Sequence, residues 1–123
     1  MKGRLLVVAL VAVACSSNGT GPQSPEPLPD EIRECETGVT TYCGVWTLVD
    51  DSVYRGVWEQ GTVANISVIR FRPDSVVFFR EDVSGPSAGV VGIYRGRRDQ
   101  NRVVEGTVIW TSWFQHGVWT AEW

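Results

Sequence analysis

From residue 35 to residue 123 no apolar pattern repeats at the 3.6-residue period of a helix. Val, Ile, Thr, Trp, Tyr and Phe dominate, and Gly, Pro, Asp or Asn breaks the run about every ten residues. A chain punctuated this way can form only short strands joined by tight turns. The expected fold is all-β: a small antiparallel meander forming a barrel or half-barrel of about seven strands. The strands expected are Val45–Val49, Tyr54–Glu59, Asn65–Arg72, Val76–Glu81, Val90–Arg97, Arg102–Trp110 and Val118–Trp123.

Arg72-Pro73-Asp74-Ser75 has the chemistry of a hairpin turn, because Pro73 pre-sets one backbone angle and Asp74 and Ser75 favour turn conformations. Ahead of it, Ile69 and Phe71 are expected to face inward. Val76-Val77-Phe78-Phe79 reads as covered on both faces. Arg98-Asp99-Gln100-Asn101 is a second turn, and residues 111–116 form a longer third connection. Val104, Gly106, Val108 and Trp110 share one strand face, and Trp119, Ala121 and Trp123 share another. Trp46, Tyr94, Trp110, Trp119 and Trp123 are therefore the expected core seam, with the first strand beside the last. Gly-Val-Trp occurs at Gly44, Gly56 and Gly117 without a fixed period, which excludes a solenoid or propeller and reads as repeated strand grammar.

The first 34 residues have a different composition. Lys2 and Arg4 precede ten uncharged apolar residues, Leu5 to Ala14. A membrane-crossing helix needs about 20, so residues 1–14 read as a signal peptide. Ala12-Val13-Ala14-Cys15 resembles the lipobox of bacterial lipoproteins, although Ala12 stands where Leu is usual. The resemblance implies a diacylglyceryl thioether on Cys15 and cleavage just before it. Ordinary signal peptidase cleavage after Ala14 is the rival. Ser16 after the Cys implies delivery to the periplasmic face of the outer membrane. Residues 15–34 hold Pro22, Pro25, Pro27 and Pro29 and read as a flexible tether. The β domain is expected to occupy residues 35–123.

With Cys15 carrying lipid, Cys35 and Cys43 remain as a pair, and an exported chain would join them in a disulfide. Without the signal peptide the chain has nine Arg and 14 acids and is net acidic, which excludes a general footprint for nucleic acid. His116 is the only His and has no local nucleophile or orienting carboxylate, so it reads as a surface-loop residue and no catalytic residue is assigned. No zinc set, calcium loop or marked pair of carboxylates stands out, so no metal or cofactor is expected.

Gly44-Val45-Trp46-Thr47-Leu48, Phe71-Arg72-Pro73-Asp74 and Gly92-Ile93-Tyr94-Arg95-Gly96 resemble the small lipocalin-like domains of bacterial lipoproteins. That resemblance implies a β-barrel or half-barrel, sometimes with an apolar cavity. The reading is a non-enzymatic lipoprotein of the cell envelope, anchored in the membrane and binding an apolar small molecule or envelope component. The alternative is a structural or protein-interaction lipoprotein with a solid core, its partner docking on residues 111–116. Trp113, Phe114 and His116 are the candidate contact loop, with Trp113 and Phe114 the expected exposed aromatics. Arg95, Arg97, Arg98 and Arg102 are a candidate anion patch, weighed against a solvated hairpin end.

Overall fold

The computed structural model describes residues 26–111 and 115–123. Eight antiparallel strands follow one another round a closed barrel: β1 (Glu31–Thr37), β2 (Thr41–Asp50), β3 (Val53–Trp58), β4 (Val63–Phe71), β5 (Ser75–Ser84), β6 (Val91–Asp99), β7 (Arg102–Trp110) and β8 (Gln115–Glu122). The seven expected strands are β2 to β8. The eighth is β1, which pairs Cys35 with Cys43 on β2 and with Thr120 on β8, and so closes the barrel. It begins at Glu31, ahead of the boundary expected at residue 35. Its inward positions are Ile32, Glu34 and Glu36. Two acids on the inner face hide the period-2 apolar signal by which a strand is read.

The interior is filled by pairing large residues with small ones. Four Trp stand directly opposite a Gly on the neighbouring strand: Trp46 opposite Gly56, Trp58 opposite Gly44, Trp110 opposite Gly92 and Trp119 opposite Gly106. The first two pairs are reciprocal, because Gly44-Val45-Trp46 runs antiparallel to Gly56-Val57-Trp58. The indole of Trp58 lies flat on the wall there. A Cβ on Gly44 would come within 2.8 Å of it, and one on Gly56 within 2.6 Å. Trp46, Tyr54, Phe78, Tyr94 and Trp119 meet around the axis, with Trp46 stacked on Trp119 at 6.0 Å. Each such ring removes on the order of 200 Å² from water, or roughly 5 kcal/mol of burial. Of the expected seam, Trp46, Tyr94 and Trp119 are fully buried, while Trp110 and Trp123 are half-buried at opposite ends.

Bulges account for the misplaced faces. Ile69 continues the outward phase of Asn65 and Ser67 and is 66% exposed, and a register shift between Val68 and Arg70 turns Phe71 back toward the core. A shift between Val103 and Gly106 puts Val103, rather than Val104, inside with Gly106, Val108 and Trp110. β5 alternates throughout: Val76, Phe78, Arg80 and Asp82 face inward, and Val77 and Phe79 are half-buried outside. Arg72 donates its backbone N–H to the Ser75 carbonyl across the expected turn. The second turn centres on Gln100, whose φ is +55°.

Candidate functional site

The two ends of the barrel differ. One end carries the β2–β3, β4–β5 and β6–β7 turns and is covered by residues 26–30. Leu28 packs against the core. Tyr54 donates its hydroxyl to the Pro29 carbonyl at 2.6 Å, and the Leu48 amide donates to Asp30 O at 2.9 Å. Arg98 points inward and donates through both terminal nitrogens to the two oxygens of Glu26, each at 2.6 Å. It also donates to the carbonyls of Gln100 and Arg72 and lies over the rings of Phe71 and Trp123. The Arg98 guanidinium holds the Glu26 carboxyl below the usual carboxylate range.

The opposite end, with the β1–β2, β3–β4 and β5–β6 connections, opens into a cup of about 450 Å³. Tyr42, Val90, Val108 and Trp110 form much of its wall, and Glu36, Arg80 and Asp82 its floor. Arg80 follows Val76 and Phe78 on the inner face of β5, and its side chain is 2% exposed. Its Nε donates to Asp82 Oδ1 at 2.6 Å and its Nη2 to Asp82 Oδ2 at 3.3 Å. Nη1 donates to both oxygens of Glu36, at 3.1 and 3.0 Å, and to the Tyr94 hydroxyl at 2.6 Å. Tyr94 in turn donates to Glu36, and Ser87 donates to Asp82. The guanidinium lies 3.6 Å above the Trp58 ring and 4.6 Å from that of Trp110. Burial works against its charge, but Tyr94, Glu36 and Asp82 outweigh it and raise the pKa.

Behind this network sits Glu34, two residues before Glu36 on the same face of β1. Its Oε1 accepts from the Trp58 indole N–H at 2.5 Å, and its Oε2 has no partner. Burial, then the charge of Glu36, pushes its pKa well above the ordinary value. Burial also raises the Tyr94 phenol well above its ordinary value. Burial thus favours the neutral form of both groups. Such a floor can orient and neutralise a ligand.

Cys35 and Cys43 face each other across β1 and β2 and are joined in a disulfide. His116 stands at the start of β8 rather than in a loop; it is exposed and lines the rim of the cup. Trp113, Phe114 and Cys15 lie outside the described residues. The four arginines of the candidate anion patch do not share one surface. Arg98 is buried with Glu26, Arg97 pairs with Glu105, Arg102 pairs with Asp99, and Arg95 is exposed on the outer wall. Among the described residues no group of three His, Cys, Asp or Glu is placed to hold a metal ion.

The sequence reading missed Glu34, Glu36, Arg80 and Asp82. The signal was parity: Arg80 and Asp82 share the phase of Val76 and Phe78, and the two glutamates share that of Ile32. No family model, curated protein or solved structure was found to match this chain.

Proposed function

We propose that this protein is a non-catalytic binding module, held on the cell-envelope membrane through lipid on Cys15, that takes a small, largely apolar molecule in the cup. One observation carries the reading: a barrel filled through its centre and plugged at one end keeps a cavity of about 450 Å³ at the other. That volume lies within the range of small-molecule sites, and a few polar groups among apolar walls are their usual chemistry. The filled centre confines the ligand to the mouth and rules out a pocket running the length of the barrel. The lipobox-like residues 12–15 support the anchor. Glu26 lies at the plugged end, so the chain leading from Cys15 joins the barrel opposite the cup. Between Cys15 and Glu26 an extended chain reaches about 35 Å.

Titration of the purified protein with N-phenyl-1-naphthylamine, a neutral fluorescent probe, tests the site. Saturable binding is expected in the wild type and should be lost when Val108→Trp fills the cup. Binding that does not saturate, or that survives the filled cup, overturns the reading. For the anchor, the wild-type chain should partition with membranes and Cys15→Ser should release it or block its processing. Unchanged mass and partitioning in the variant would overturn that part.

A further inference from the structure

We infer that the molecule taken by the cup carries a positive charge: an amine or quaternary ammonium on a flat or apolar body. This rests on the cup being the binding site and names the chemistry of its ligand.

The charge on the floor does not balance. Two carboxylates, Glu36 and Asp82, meet one guanidinium. An anionic ligand would need donors from Arg80. Four of its five N–H groups already serve Asp82, Glu36 or Tyr94, so an anion could gain at most the second Nη2 hydrogen and would face two carboxylates in doing so. The carboxylates keep acceptor capacity. A carboxylate has about four lone-pair sites, and Glu36, whose side chain is 10% exposed, lines the cup. A cation there meets an excess negative charge within low-dielectric walls, where attraction is stronger than in water. The half-buried Trp110 and the exposed Tyr42 line the same cup, and aromatic rings favour a cation over a neutral group. The barrel also shows the same chemistry closed: Arg80 itself lies over two indoles and between two acids, a cation held as the ligand's would be.

The test is isothermal calorimetry of the full chain with three probes of one body: 1-naphthylmethylamine, 1-naphthylmethanol and 1-naphthoate, at pH 7 and low salt. The amine should bind at least tenfold more tightly than the alcohol, and the naphthoate most weakly. Added salt should shrink the gap between amine and alcohol. Glu36→Gln should reduce that gap to less than about threefold. Equal affinity for amine and alcohol would overturn the charge inference and leave the cup as an apolar site. Tightest binding of naphthoate would overturn it too. If no probe saturates, the cup is not a binding site and this inference fails with it. Because the three probes are compared on the wild-type protein, the inference stays testable if Glu36→Gln does not fold.

Discussion

Each end of the barrel buries an arginine against aromatic rings, and the two ends use it differently. Arg98 draws its carboxylate from outside the barrel: Glu26, on the segment that crosses the end, is about a third exposed. Arg80 draws both of its carboxylates from the wall, from β1 and from its own strand, and each is nearly fully buried. The first arrangement is a clasp that closes an opening with a piece of chain. The second satisfies the arginine from within, and among the described residues no segment crosses the opening to pair with it. The same residue type thus seals one end and floors a cavity at the other, according to where its counter-charge is attached.

Removing the two arginines should separate them most. Arg80→Met strands Glu36 and Asp82 in the interior, and breaking a buried pair this way costs about 3–5 kcal/mol. Arg98→Met leaves a Glu26 that can turn to water and should cost clearly less. Urea unfolding at pH 7 reads both, and an equal loss would erase the distinction between the ends. Reducing the disulfide comes next. It ties β1, which carries Glu34 and Glu36, to β2, and its short loop is worth roughly 2–3 kcal/mol in the chain-entropy picture. Both thiols should resist alkylation until reductant is added, and ready labelling in the folded protein would contradict the bond.

Two smaller effects depend on pH and have opposite signs. The folded pKa of Glu34 is raised, so the folded state keeps its proton while the unfolded chain loses it near 4.5. Wild type should therefore lose stability relative to Glu34→Gln as pH rises above 4.5, by at most about 1.4 kcal/mol per pH unit. A constant difference between the two proteins from pH 4.5 to 8 would mean that Glu34 ionises normally. Glu26 is lowered, so its contribution is present above 4.5 and fades as pH falls through the folded value. Glu26→Gln should cost less than about 1 kcal/mol at pH 7 and nothing in acid. A loss at pH 7 as large as that of Arg80→Met would show that the clasp is as rigid as the wall.

Most of the barrel was legible in the sequence because its walls obey local rules. Turn chemistry at Pro73-Asp74 and at Gln100-Asn101 sets two hairpins, and alternation places Trp119, Ala121 and Trp123. The repeated Gly-Val-Trp could be seen but not understood from spacing alone. Its meaning is cross-strand, since each Gly makes room for a Trp on a neighbour in the first two copies, and that needs the register. Bulges are equally invisible, and one of them puts Ile69 and Phe71 on opposite faces. The candidate site was the least legible part. Its acids sit on β1 among residues that resemble solvated tether, and charge on an inner face contradicts the pattern by which inner faces are recognised. Arg80 looks like the end of an apolar run until Glu36 and Asp82 are seen to converge on it.

The way the chain enters the barrel has a mechanical consequence. β1 runs from the plugged end toward the mouth and is hydrogen-bonded to β2 on one side and β8 on the other. A pull on the chain ahead of Glu26, with the mouth of the barrel held, acts along the axis of β1. It loads the bonds to both neighbours together, in shear, and does not peel them one at a time. Before that load reaches the strand it must open the paired bonds between Glu26 and Arg98, and beyond the strand bonds the Cys35–Cys43 link carries force through a covalent path into β2. Drawn from that side, the barrel should yield at the clasp first, freeing a few residues from Glu26 onward while the cup keeps its shape.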